Sequence, residues 1–233
     1  LRFAHQLLLQ PRRKLHFLGR IKPDAWRRLE IPKPGGGVRV LHEPCPALKI
    51  VQRRLLVTIL NPVILHRGCH GFTTGRSIRT NAEVHARKDV VVCMDLQDFF
   101  PTVTFPRVFG VFKALGLSRS DAGLLARCTT FQGVLPQGAP TSPALANLVC
   151  RRLDRRLCGL VENAGGNYTR YADDLAFSGP ASILKLLPAI RRIVDAARPG
   201  ELHLAGAEGL DEVMGGLADR SFGLRHGQPL AHR

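Results

Sequence analysis

The sequence predicts an α+β fold, and three observations predict it. Apolar and aromatic β-formers lie on both sides of the adjacent carboxylates Asp173 and Asp174 in the stretch 167–179, which reads as a hairpin with the aspartates at its tip. The run Val90-Val91-Val92-Cys93-Met94 is short, β-branched and apolar, the pattern of a strand buried on both faces. Residues 47–60 and 144–160 repeat apolar positions at helical spacing with basic residues opposite. With 233 residues and 45% hydrophobic composition, the chain can bury a core as one large domain or two modest ones.

Charge points to the partner. Lys plus Arg number 34 against 18 Asp plus Glu, a net of +16. Residues 199–233 hold three Arg and five acids, net −2, which leaves +18 on residues 1–198. A basic surface of this size concentrates polyanions and releases their counterions on binding. A merely soluble basic surface is the plainer alternative. The six cysteines are scattered without a Cys-x-x-Cys pair, which favours reduced thiols and a cytoplasmic compartment over a disulfide framework. No apolar run is long enough to span a bilayer and no secretory signal is present, so no membrane partner is expected. A first residue of Leu1 instead of Met suggests a fragment or a non-standard start.

In chain order, residues 1–29 are basic and amphipathic, and a helix followed by a loop is expected. The segment 31–41 has a Pro/Gly turn between two extended runs, a hairpin with Lys33 and Arg39 on its arms. Residues 47–60 form a helix with Gln52, Arg53 and Arg54 on its polar side. His66, Cys69 and His70 cluster without a fourth ligand at finger-like spacing, which disfavours zinc. Ser77 is the expected N-cap of a helix carrying Asn81 and His85. The strand 90–94 ends at Asp95, a carboxylate that is costly at the mouth of a buried strand unless coordinated or paired. Short helices are expected over 105–115 and 120–129. The loop 135–143 is rigid and small-residued, with Ser142 as N-cap and Pro143 at N1 of the next helix. That helix turns Arg151, Arg152, Arg155 and Arg156 outward. At the hairpin tip two adjacent like charges repel, and an oxygen-seeking divalent cation such as Mg²⁺ relieves them. An isolated Asp-Asp pair would read equally as a solvated acidic turn.

Taken in this order, the motifs resemble reverse transcriptases, and within them the bacterial retron-type branch. The residues that carry the resemblance are Val92-Cys-Met-Asp95-Leu-Gln-Asp-Phe-Phe100, Pro136-Gln-Gly-Ala-Pro-Thr-Ser-Pro143, Tyr171-Ala-Asp-Asp174, the basic stretch with Lys33, Arg39 and Gln52, and Asn81-Ala82-x-x-His85. It implies right-hand polymerase fingers and a palm built on an antiparallel sheet with helices behind it. It divides the chain into an N-terminal basic helical arm (1–30), fingers (31–89), a palm (90–198) and a divergent tail (199–233).

The chemistry implied is Mg²⁺-dependent addition of a dNMP to a primer 3′-hydroxyl on an RNA template. Asp95, Asp173 and Asp174, with the Leu96 carbonyl, would hold two Mg²⁺ ions, with Mn²⁺ as a substitute. Lys33, Arg39, Phe100, Gln137 and Gly138 would bind the dNTP, Phe100 excluding a ribose 2′-hydroxyl. Tyr171, Gln52, Asn81 and His85 would touch primer or template. The arginine faces would track an RNA–DNA hybrid, and a structured non-coding RNA is a further implied partner. A role in antiviral defence would be read from neighbouring genes.

Beyond about residue 197 the resemblance stops. The family's remaining palm elements and thumb find no counterpart in 198–233, which suggests a truncated or frameshifted frame. An inactive RNA-binding relic is therefore the competing reading, and an RNA-templated RNA polymerase a third, disfavoured by Phe100.

Overall fold

Strand β1 (Trp26–Pro32) and strand β2 (Val38–Pro44) form an antiparallel hairpin in the computed structural model, which describes residues 23–33, 35–197 and the two residues 204–205. Its turn closes through the Lys33 N–H donating to the Gly37 carbonyl and the Gly36 N–H donating to the Lys33 carbonyl, both at 3.0 Å. Gly36 and Gly37 take φ of +91° and +80°, a region open to glycine at little cost. The hairpin is longer than its turn signal implies. Residues 26–30, expected within a helical arm, are strand, because Trp26 is buried against Phe131 and pairs with Pro44. The rest of that arm, 1–22, and the tail, apart from 204–205, lie outside the described residues.

Helix α1 (Pro46–Leu55) buries Leu48, Val51 and Leu55 and runs into a π-helical turn, Leu56–Leu60. Helix α2 (Ile78–His85) begins at a reciprocal capping box. Ser77 Oγ accepts from the Thr80 N–H, and Thr80 Oγ1 accepts from the Ser77 N–H. Strand β3 (Val90–Leu96) follows, then helices α3 (Phe105–Ala114), α4 (Arg119–Thr129) and the long α5 (Ser142–Glu162). The last elements are β4 (Asn167–Tyr171), β5 (Asp174–Gly179), α6 (Leu187–Ala196) and β6 (Leu204–Ala205). Helix α5 starts one residue before its expected first turn. Thr141 is the N-cap and Ser142 is already helical, with Pro143 in the first turn, where its missing N–H costs nothing.

The second sheet is antiparallel, in the order β4-β5-β3-β6. Directly paired residues share a face. The register Asp95↔Asp174↔Tyr171 therefore sets Asp95, Cys93 and Val91 on one face with Asp174 and Tyr171. The other face carries Met94, Leu175, Phe177 and Tyr168, which pack into one core with Phe112 of α3, Leu157 of α5 and Ile190 of α6. Each such buried apolar side chain contributes about 1.5–3 kcal/mol relative to exposure. The strand 90–96 is thus not buried on both faces. Val91 is 49% exposed and Cys93 is exposed, because on that face α2 covers β4 and β5, through His85 on Ser178 and Thr169, and leaves β3 open. This is the α+β arrangement expected, with most helices behind an antiparallel sheet whose front is open at β3 and at the end that carries Asp95 and Asp174.

Candidate active site

The site is built at the front end of β3, β5 and β4, where the hairpin between β4 and β5 turns in two residues. Ala172 holds φ of +58°, a left-handed conformation that costs a non-glycine residue about 1–2 kcal/mol. Three contacts hold it there. The Leu96 N–H donates to the Asp173 carbonyl at 3.0 Å. The Arg170 guanidinium donates from Nη1 to the Ala172 carbonyl at 2.9 Å. Gly71 closes over the turn so tightly that a Cβ on it would stand 2.4 Å from the Ala172 nitrogen.

Arg170 is the anchor of this arrangement. It is fully buried and forms a two-pronged ion pair with Asp154 of α5, Nε to Oδ1 at 2.8 Å and Nη2 to Oδ2 at 2.9 Å. Nη1 also donates to Asn147 Oδ1 at 2.9 Å, and the Tyr168 hydroxyl donates to Asp154 Oδ1 at 2.8 Å. Burial, then the Asp154 charge, pushes the Tyr168 hydroxyl well above its ordinary pKa, so it remains a donor. A planar guanidinium suits this role because its fork matches the carboxylate while leaving a donor for the turn.

Asp95, Asp173 and Asp174 come together at the solvent-facing rim. Burial, then the charges of Asp173 and Asp174, raises the Asp95 carboxyl above its usual range, and burial and Asp173 do the same to Asp174. Among the described residues no ion pair reaches any of the three, and no three His, Cys, Asp or Glu side chains close into a ready-made metal cluster. The donor set is therefore open and electrostatically uncompensated. It fits a magnesium ion, which keeps several waters and is commonly held by one or two carboxylates plus substrate phosphates.

Four of the five residues expected at a nucleotide, Arg39, Phe100, Gln137 and Gly138, line one cavity of about 380 Å³. The His42 N–H donates to the Gln137 carbonyl at 2.7 Å, fastening β2 to the loop. Gly138 is required by its φ of +100° and by the Leu41 Cβ, 3.3 Å from where its own would be. Lys33, the fifth, is exposed beside the hairpin turn and does not line the cavity. Phe72 also lines it, a position that no motif in the sequence marks. It is 54% exposed, an aromatic set between Gly71 and Thr73.

Tyr171 is half-buried and pairs with Asp174. The other expected primer or template residues sit elsewhere. Gln52 is fully buried and its Nε2 donates to the Cys128 carbonyl at 2.8 Å, so it joins α1 to α4. His85 is buried between Ser178 Oγ (2.7 Å) and Thr169 Oγ1 (2.6 Å), docking α2 onto the sheet. Asn81 is half-buried on the same helix, its Oδ1 enclosed without a hydrogen-bond partner. Both helices are amphipathic, and on their inner sides Gln52 and His85 satisfy buried partners. His66, Cys69 and His70 are likewise absorbed locally: His66 Nδ1 accepts from the Gly68 N–H, His70 bonds Thr80, and Cys69 Sγ lies 3.3 Å from Arg170 Nη2. The arginine side of α5 is exposed but turned away from the carboxylates, since α5 packs on the closed face of the sheet.

The sequence profile described as "Reverse transcriptase (RNA-dependent DNA polymerase)" matches residues 31–197. The chain is 47% identical over 167 residues to the retron Mx65 reverse transcriptase of Myxococcus xanthus, covering 64% of this chain and 39% of that one. It is 38% identical over 168 residues to the retron Ec86 reverse transcriptase of Escherichia coli, covering 72% of this chain and 52% of that one. The chain thus spans about half or less of these relatives' lengths. In fold it is similar to telomerase from Candida albicans, solved with a fragment of telomeric RNA, with a TM-score of 0.51 and 10% identity over 73% of this chain and 40% of that one.

Proposed function

Because the chain belongs to the reverse transcriptase (RNA-dependent DNA polymerase) family, we propose that it is a retron-type polymerase that adds deoxynucleotides to a primer 3′-hydroxyl on an RNA template. The observation that carries this reading is the pairing of Asp95 with Asp174, in register at the end of the sheet, in a chain that also forms a cavity lined by Arg39, Phe100, Gln137 and Gly138.

Asp95, Asp173 and Asp174, with the Leu96 carbonyl, would hold Mg²⁺. When bound, the metal lowers the pKa of the primer hydroxyl and neutralises charge on the reacting phosphoryl group. The chain's own residues supply position. Arg39 faces the cavity with a fixed positive charge for the triphosphate. The half-buried ring of Phe100 presents a flat wall where a ribose 2′-hydroxyl would collide. The Gln137–Gly138 backbone, held to β2 by the His42 bond, shapes the opposite wall. Arg170 and Gly71 hold the turn, and with it Asp173, against displacement when the metal and primer arrive.

Primer extension with Mg²⁺ and dNTPs on an RNA template, compared with Asp173→Asn, tests the reading. The expected outcome is extension by the chain and a loss of about 10²-fold or more in the variant, the scale for removing one strong electrostatic stabiliser. RNA binding without extension by either protein overturns it in favour of an RNA-binding relic.

A further inference from the structure

Phe72 and Ala172 are both held at positive φ, +54° and +58°. Non-glycine residues keep such backbone only where neighbouring groups hold it. Phe72 walls the cavity that Arg39, Phe100, Gln137 and Gly138 also line, and Ala172 stands before Asp173 in the turn between β4 and β5. The segment leading to Phe72 runs beside β4. The Arg170 N–H donates to the Gly68 carbonyl at 2.7 Å, and the His70 N–H donates to the Arg170 carbonyl at 2.8 Å. The next bond, from the Gly71 N–H to the same carbonyl, is stretched to 3.4 Å, so the backbone ladder gives out one residue before Phe72.

Asn147 of α5 takes over at that point. It is 1% exposed, and its Nδ2 donates to the Gly71 carbonyl at 2.9 Å. Its Oδ1 accepts from Arg170 Nη1 at 2.9 Å, and the same nitrogen donates to the Ala172 carbonyl. The orientation of the amide is forced, because a guanidinium only donates and a carbonyl only accepts. Thr73 Oγ1 also donates to the Gly71 carbonyl, at 3.2 Å, but that contact ties the loop to itself. Cys69 Sγ lies 3.3 Å from Arg170 Nη2, but sulfur is a weak acceptor. Asn147 ties the loop both to Arg170 and to α5, one turn beyond Pro143, which lines the same cavity. An aspartate here would have no donor for Gly71, and a leucine would have neither group.

We propose that Asn147 is a positioning residue that locks the Phe72 wall of the cavity to the turn carrying Asp173, so that the nucleotide seat and the carboxylate rim are set as one unit. It touches neither nucleotide nor metal and acts only through Gly71 and Arg170. The identity of the cavity's occupant rests on the polymerase reading; the clamp does not.

The variants Asn147→Asp and Asn147→Leu separate the two halves of the clamp. The first keeps an acceptor for Arg170 and loses the donor to Gly71, and the second loses both. In primer extension on an RNA template, Asn147→Asp should raise the KM for dNTP about tenfold, the scale of one hydrogen bond, with kcat held within about twofold. Asn147→Leu should raise KM similarly and also lower kcat about tenfold or more, because Arg170 loses a partner that aims it at the Ala172 carbonyl. Hydrogen exchange on the folded, metal-free chain reads the same division without turnover. Asn147→Asp should speed exchange of the His70 and Gly71 amides about tenfold and leave unchanged the Leu96 amide, which donates to the Asp173 carbonyl. Asn147→Leu should speed all three. A purely structural role lowers the stability of both variants while KM, kcat and these amides stay unchanged in the folded fraction, and that result overturns the proposal. An Asn147→Asp variant that loses as much kcat as Asn147→Leu overturns it as well. If the parent chain itself fails to extend, the polymerase reading falls, and exchange of the three amides still decides the clamp.

Discussion

Asp174 and Arg170, four residues apart on neighbouring strands, show two opposite uses of charge. Asp174 and Asp95 are held where burial and mutual repulsion raise both carboxyls. The folded chain therefore binds protons at these positions more tightly than the unfolded chain does. That stability is complete at acid pH, below the ordinary carboxylate range, and is lost as pH rises through the raised values. In metal-free buffer, Asp174→Asn should consequently melt higher than the parent at neutral pH, with the gap closing on acidification. Thermal denaturation from pH 4 to 8 checks this, and a parent that melts higher than the variant at neutral pH would contradict it. Arg170 is the reverse case, a buried charge fully matched by Asp154, Asn147 and the Ala172 carbonyl. Arg170→Met leaves Asp154 buried without its partner and should cost about 3–5 kcal/mol in denaturant unfolding. The double change with Asp154→Leu should recover part of that loss, because an apolar pair leaves no uncompensated charge.

At the scale of elements, strands and helices with strong local signals were legible in the sequence. The N-cap at Ser77, the helix over 105–114 and the hairpin at 167–179 all follow from residue pattern alone. What local pattern could not reveal was which face of a helix looks inward. Gln52 and His85 lie on amphipathic helices among residues that read as a ligand-facing side, yet both are buried against another element. Long-range packing decided this, and no spacing within one helix encodes it. Arg170 escaped notice for the same reason, since its partner Asp154 is remote in pattern though close in space. The reassignment of His85 is testable. His85→Ala removes hydrogen bonds to Ser178 and Thr169 and leaves buried hydroxyls unpaired, a cost of about 1–3 kcal/mol. Stability measured in urea should fall accordingly while affinity for a template–primer duplex, measured on folded protein, stays unchanged. A residue that touched nucleic acid would show the opposite pattern.

For the whole molecule, the open front of the sheet and the uncompensated carboxylates make stability depend on what is bound. A ligand that binds only the folded state adds about 2.7 kcal/mol when present at 100 times its dissociation constant. Mg²⁺ with a dNTP should therefore raise the melting temperature by several degrees, at about 2–4 °C per kcal/mol for a chain of this size. Asp173→Asn should lose most of that increment. An equal rise in both proteins would assign the effect to charge screening elsewhere on a chain with a net charge of +16.

The exposed thiol of Cys93 carries a practical consequence. Of the six cysteines it alone is exposed, and it stands two residues before Asp95 on the same face of the sheet. Burial of its sulfur and the Asp174 charge raise its pKa, so alkylation should proceed best in mildly alkaline buffer. A maleimide dye attached there would sit beside the aspartate rim as an optical reporter of metal or nucleotide binding. A bulky adduct at this sulfur would crowd the surface beside Asp95 and Asp174.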